Sequence, residues 1–159
     1  MLQSAKLSRK SALSGAAVAV VASLYNDRYV GSMLKGAKRI LQKAGVKPRV
    51  VRVPGAYEIP LVTAVLARSG NFDAVICLGV ILRGETSHAD LIGESITQGL
   101  SQLQLETEVP IIHEVLLLGT EEQARKRCID PKFNRGIEAA ESALAMIGVM
   151  RAVNGKAES

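Results

Sequence analysis

Tryptophan is absent from this 159-residue chain, and only two phenylalanines and three tyrosines stand in for it. So few rings leave little material for stacking nucleobases, which argues against a nucleic-acid-binding role despite the formal charge of +5. Cysteine is equally scarce. Cys77 and Cys128 are far apart, form no C-x-x-C pair, and have only His88 and His113 to join them as soft ligands, so no metal site is expected. Both read as free thiols in a reducing compartment, Cys77 as an inert core residue and Cys128, after a basic stretch, as the more reactive one. No apolar run approaches the roughly 18 residues that span a bilayer, so a soluble protein with no membrane partner is expected. Basic residues followed by Ala16 to Ala22 have the outline of a secretory signal, but a buried first strand yields the same run.

What the chain does have is concentrated between Asp73 and Asp90, DAVICLGVILRGETSHAD. Val75, Ile76, Cys77, Leu78, Val80, Ile81 and Leu82 form the near-continuous apolar run of a parallel strand covered on both faces. Gly84 stops it, Glu85, Thr86 and Ser87 follow, and a helical pattern starts near His88. Backbone N–H groups and hydroxyls thus gather at a helix N-terminus, a place to hold an anion. Gly79, Gly84 and Thr86 have the spacing of a nucleotide P-loop, but Glu85 stands where that loop needs lysine, and a carboxylate there repels a triphosphate. A phosphate monoester fits better.

Around this stretch, strands and helices alternate at one scale, as expected for a single domain over residues 16–155 behind a mobile basic tail, residues 1–15, with Lys6, Arg9 and Lys10. Ala16 to Ser23 is the first strand, ending in Leu24-Tyr25-Asn26. From Asp27 a stripe at steps of three and four (Val30, Met33, Leu34, Ala37, Ile40, Leu41, Ala44) marks a helix that Gly45 stops. Pro48 to Val53 is the second strand, followed by the tight turn Pro54-Gly55-Ala56-Tyr57-Glu58 and a helix with Pro60 in its first turn. The helix from His88 ends at Val109-Pro110, and Ile111 to Leu118 is the fourth strand. A helix with a Thr120/Gln123 capping box follows, basic at its end, then a loop from Asp130 to Asn134 and a last helix from Gly136. The pattern predicts a four-stranded parallel sheet with right-handed crossovers and helices on both faces. Ligands of such sheets bind beyond the carboxyl ends of the strands, where Tyr25, Ala56 to Glu58, Ile81 to His88 and His113 are all expected.

VPGAYEIP (Val53 to Pro60), LGVILRGETSH (Leu78 to His88) and RGIEAA (Arg135 to Ala140), together and in this order, resemble the lumazine synthase family over nearly the whole domain. The resemblance implies a flavodoxin-like three-layer αβα sandwich and a transferase of riboflavin biosynthesis. That enzyme condenses 5-amino-6-ribitylaminouracil with 3,4-dihydroxy-2-butanone 4-phosphate into 6,7-dimethyl-8-ribityllumazine, phosphate and water. It further implies no metal or organic cofactor, a cytoplasmic homo-oligomer of at least a pentamer and in many members a shell of sixty, sites between neighbouring subunits, and riboflavin synthase as a candidate partner. By motif, Tyr25 takes the place of the aromatic that stacks on the pyrimidine, with Asn26 beside it. Ala56, Tyr57 and Glu58 meet the ribityl chain, Ile81, Leu82 and Arg83 border the uracil, and Gly84, Glu85 and Thr86 match the phosphate loop. His88 matches the proton-transfer residue. The neighbouring subunit is expected to supply His113 as a ring, Arg127 to phosphate, Arg135 as a cation and Glu138 as a carboxylate. Tyr25 and His113 stand where Phe or Trp is usual, Arg135 where Lys is common, and the loop Ile129 to Phe133 departs from a glycine-rich version.

The residue chemistry agrees with those roles. An imidazole, with an unperturbed pKa near about 6.5, both takes and gives a proton around neutrality. An arginine fork is matched to phosphate. Each also has a plainer reading: His88 as a helix cap, Arg127 as a solvated cation answering the helix dipole, Glu58 and Glu138 as first-turn acids, His113 as a half-buried strand residue. A non-catalytic shell or scaffold of the same fold is the alternative function, and it has no need of His88 or Arg127. A flavodoxin-like flavin binder needs glycines and hydroxyls after the first strand, and Leu24-Tyr25-Asn26-Asp27 lacks them.

Overall fold

Strand β1 (Val18–Ser23) is buried at all six positions because it lies between two parallel partners and two layers of helices. The computed structural model describes residues 13–155. Its sheet has the order β2-β1-β3-β4 and is parallel throughout, with β2 at Arg49–Val53, β3 at Ala74–Leu82 and β4 at Ile111–Leu118. Strand β3, the other central one, is buried over its first seven residues, whereas the edge strand β2 buries fully only Val53. Continuous apolarity in β1 and β3 is therefore the signature of their central place.

Side chains alternate across the sheet and define two cores. Val18, Val20 and Ala22 face one core with Ile76 and Leu78, closed by helices α1 (Asp27–Lys43), α4 (Glu121–Cys128) and α5 (Arg135–Val153). Ala19 and Val21 face the other with Val75 and Cys77, closed by α2 (Ile59–Arg68) and α3 (His88–Thr107). The result is a three-layer αβα sandwich. Its strand order reverses between β1 and β3, which opens a crevice at their carboxyl ends.

Local signals place the helices. α1 ends in a Schellman motif: Gly45 adopts a left-handed φ of 79°, its N–H donates to the Gln42 carbonyl, and the Val46 N–H donates to Leu41. Thr120 caps α4 by accepting from the Gln123 N–H at 3.2 Å, but the return bond of Gln123 goes to the Gly119 N–H at 2.8 Å, one residue earlier than in the usual box. α5 starts at Arg135, one residue before the expected Gly136, and is capped by Asn134, the last residue of the expected loop. The Asn134 Oδ1 accepts from the Gly136 and Ile137 N–H groups, while its Nδ2 donates to the Cys128 carbonyl at 2.8 Å. One buried amide thus joins the end of α4 to the start of α5. Gly136 lets α5 touch α1: a Cβ there would lie 2.0 Å from the Met33 carbonyl oxygen.

Two expectations shift. The tail assigned to residues 1–15 lies outside the described residues up to residue 12, but Leu13 to Gly15 form a turn with Leu13 in the core and Ser14 accepting from Arg151 at 2.9 Å. Cys128 is not the reactive thiol its basic neighbours suggest. It is wholly buried, and burial together with the nearby Glu114 carboxylate pushes its pKa up to about 12, as burial does for Cys77. Helix α4 turns its cations outward and its cysteine into the core.

Candidate functional site

The first group of expected residues gathers at the crevice between β1 and β3. Beyond Ser23 the pairing of β1 with β2 continues into the turns, with the Leu24 N–H donating to Val53 and the Tyr25 N–H to Pro54. Tyr25 therefore lies beside the Pro54-Gly55-Ala56 turn. Asn26 adopts a left-handed φ of 59° and its Nδ2 donates to the Val80 carbonyl at 2.8 Å, so its side chain fastens this turn to β3. Arg52 fastens it from the other side, donating to the Ala22 and Ser23 carbonyls and pairing with Asp27. Tyr25 itself is left 73% exposed.

Ala56–Glu58 form one 3₁₀ turn that leads into α2, with Tyr57 and Glu58 exposed. The Glu58 carboxylate folds back over Gly55, where a Cβ would stand 3.1 Å from its Oε2. Ile81 and Leu82 are half-buried at the end of β3. Arg83 continues the pairing to β4 through its N–H, which donates to Leu118, while its guanidinium reaches Asp90 in the first turn of α3 through Nε at 3.0 Å. Gly84, Glu85 and Thr86 are exposed, and the space a side chain would fill at Gly84 is open. His88 opens α3, its N–H 3.4 Å from the Thr86 hydroxyl. The exposed Gly84–Thr86 turn thus leads directly into the start of α3, where a helix leaves its first N–H groups without partners inside the helix.

A second group surrounds a cavity of about 550 Å³ between α4, the start of α5 and the end of β4, lined by Arg127, Arg135 and Glu138 together with Leu118, Gln123, Lys126 and Phe133. Arg135 is held hard. Its Nε and Nη2 donate to the two carboxylate oxygens of Glu114 at 3.1 and 3.0 Å, and its Nη1 meets Glu138 at 3.0 Å. Burial raises the Glu114 pKa and Arg135 pulls it back down. Among the described residues, Lys126 and Arg127 have no carboxylate at ion-pair distance, although the Lys126 ammonium lies over the Phe133 ring, 5.1 Å from its centre.

His113 belongs to neither group. It is expected near the carboxyl end of β4, but β4 has just the expected bounds, Ile111–Leu118, so His113 is its third residue, near the amino end, and pairs with Cys77. Five residues of strand, about 16 Å at 3.3 Å each, separate it from Leu118. It also points to the α3 face, where its Nδ1 accepts from the Val115 N–H at 3.1 Å and its Nε2 meets the Thr97 hydroxyl at 2.8 Å. The accepting Nδ1 places the proton on Nε2, and burial lowers the pKa, so the ring is held neutral.

Residues 15–151 match the family model described as 6,7-dimethyl-8-ribityllumazine synthase. The chain is also similar to the 6,7-dimethyl-8-ribityllumazine synthase of Thermococcus gammatolerans, 41% identical over 138 residues that cover 86% of this chain and 89% of that protein. This chain belongs to the 6,7-dimethyl-8-ribityllumazine synthase family.

Set against the lumazine synthase motifs, the structure brings Tyr25, Asn26, Ala56 to Glu58 and Ile81 to His88 to one crevice, and Arg127, Arg135 and Glu138 to one cavity. The two groups stay separate, because the cavity is walled by α4, α5 and the end of β4 and takes in none of the first group, although the Arg83 N–H donates to Leu118 on its rim. Lys126, Gln123 and Phe133 of the cavity, and Glu114 behind it, carry none of the motifs. Asn134, which aligns Arg127 and Arg135, had a readable signal: an Asn directly before a helical stripe is a favoured N-cap.

Proposed function

We propose that this lumazine synthase family member condenses 5-amino-6-ribitylaminouracil with 3,4-dihydroxy-2-butanone 4-phosphate, and that the crevice holds most of the site. The observation that carries the reading is the outward-facing Gly84–Thr86 turn with His88 at the start of α3, placed at the sheet's switch point beside an exposed Tyr25. Tyr25 stacks on the pyrimidine, with Asn26 holding the turn. Ala56, Tyr57 and Glu58 receive the ribityl chain, Glu58 accepting its hydroxyls. Ile81, Leu82 and Arg83 border the ring, and Gly84, Glu85 and Thr86 take the phosphate.

The uracil's amine attacks the ketone and water leaves. A proton is then lost from the hydroxyl-bearing carbon, phosphate departs from the carbon next to it, the resulting enol becomes a ketone, and the ribityl-bearing amine closes the ring on that ketone with loss of a second water. His88 moves the proton. Holding both reactants in line supplies an effective molarity of roughly 10⁵ M or more, so most of the rate needs only positioning. A shell protein without chemistry has no use for an imidazole at this turn. Mixing purified protein with the two substrates should produce the absorbance and fluorescence of the lumazine, and their absence from a properly assembled sample would refute the reading.

The second group completes the site from a neighbouring subunit, with Arg127 on phosphate and Arg135 and Glu138 beside it; His113, apart from that group at the other end of β4, is the neutral ring the same neighbour adds. Crevice and cavity are separate patches of one chain, and a head-to-tail ring joins such patches. A pentamer is the proposed unit, a shell of sixty its larger assembly, riboflavin synthase a candidate partner, and the cytoplasm the compartment. Two impaired variants, His88→Ala and Arg127→Ala, unfolded together at equal concentration, refolded and assayed at butanone phosphate well below its KM, should regain full activity at roughly a quarter of the sites under random mixing. Mixed rings verified by mass but no more active than the average of their parents would place the whole site within one chain.

A further inference from the structure

Glu114 is the only charged residue among the described ones that is buried, at 8% exposure. It does not line the α4–α5 cavity. It stands behind Arg135, which does, and both its oxygens accept from that guanidinium. Glu138 takes a third N–H from the front. Stability explains this poorly, since a buried ion pair gains little over apolar residues of similar volume. Geometry explains it better: a planar fork gripped at two oxygens has one orientation, which a lysine on a flexible stem would not have. Charge follows from the same contacts. Arg135 between two carboxylates is more than neutralised, whereas Lys126 and Arg127 on the same wall have no carboxylate at ion-pair distance among the described residues, Arg127 meeting Glu114 only through a weaker, longer-range attraction.

We propose that Glu114 is a positioning residue that fixes and neutralises Arg135, making Arg135 an oriented hydrogen-bond donor to substrate and leaving the anionic group to Arg127 and Lys126. The positioning part rests on the lumazine synthase reading of the site; the division of charge does not.

Glu114→Gln keeps the shape and removes the charge. Turnover of lumazine formation should fall about tenfold, as for a coupled contact pair. Inorganic phosphate should inhibit about threefold more tightly, as an unmasked, partly screened cation would cause. A purely structural role predicts the opposite sign, phosphate binding weakening together with turnover, and that result would overturn the proposal. In the Arg135→Met background, Glu114→Gln should change either quantity by less than about twofold; full, additive losses would show that Glu114 does not act through Arg135. Should Glu114→Gln fail to fold, Arg135→Lys reads the same arrangement: turnover about tenfold lower with phosphate inhibition retained supports it, and unchanged turnover overturns it. If the wild-type protein forms no lumazine, the functional reading fails, but calorimetric titration with inorganic phosphate still decides the charge division, tighter in Glu114→Gln for it and weaker against it.

Discussion

At the carboxyl ends of β1 and β3 the candidate groups face solvent: Tyr25 and Tyr57 are 73% and 64% exposed, and the turn from Gly84 to Thr86 touches little. At the junction of α4 and α5 they hold one another, Arg135 between Glu114 and Glu138, Asn134 across both helices, Gly136 against α1. The first region has exposed rings and an exposed turn, the features the proposed function assigns to substrate contact. The second is a pre-assembled wall whose charges are already set. A site divided this way keeps its precision in the packed part and its capacity for binding in the open part, and the same substitution should have opposite consequences in the two.

Glycine to alanine shows the contrast most strongly. Gly136→Ala forces a Cβ to within 2.0 Å of a backbone oxygen on α1, where no flexible side chain can yield. Overpacking of this kind should cost about 3 kcal/mol or more, read as a lower urea midpoint. Gly84→Ala, with open space at the Cβ and no left-handed φ, should change stability by less than about 0.5 kcal/mol. Equal costs would erase the distinction between wall and open turn.

His88→Ala probes the open region's chemistry. It should lower kcat by about a hundredfold with a smaller change in KM, because a proton shuttle acts in the transition state. Unchanged kcat, with chemistry shown to limit turnover, would return His88 to a capping role. In the packed wall, Arg127→Ala should raise KM for the butanone phosphate by about tenfold and spare the uracil, the size of a lost charged hydrogen bond. An equal loss for both substrates in a correctly assembled protein would make Arg127 structural.

The open region was the more legible from sequence. Its parts are local: a glycine that stops an apolar run, hydroxyls before a helix, a Pro-Gly turn, each with a backbone reason visible within a few residues. Strand order was not legible, since apolarity tells that β1 and β3 are buried but not that β2 lies outside β1. The wall was legible only through the family motifs for Arg127, Arg135 and Glu138. Glu114 carries no local signal, because a single acid in an apolar strand gains meaning only when Arg135, 21 residues on, lies against it. His113 was misplaced for a related reason: it shares a strand with the wall but sits at the strand's other end, on the other face.

His113 and Glu114, neighbours on opposite faces of β4, give the smallest and most exact comparison. Burial lowers the His113 pKa from the ordinary 6.5, so the folded state binds its proton later than the unfolded chain. As pH falls below 6.5 the unfolded state takes up more protons, and His113 costs stability progressively until it too is protonated in the fold. For Glu114 burial outweighs Arg135 and raises the pKa from the ordinary 4.5, so the folded state binds the proton first. Its contribution is fully present below 4.5 and is lost as pH rises through the raised value, the opposite slope. Thermal melts between pH 7 and pH 5 should therefore decline less in His113→Gln than in the wild type, because the residue that disfavours acid is gone. Glu114→Gln should decline more. If both variants change the pH dependence in the same direction, the two side chains do not sit in the separate, oppositely acting environments that the two faces of β4 provide.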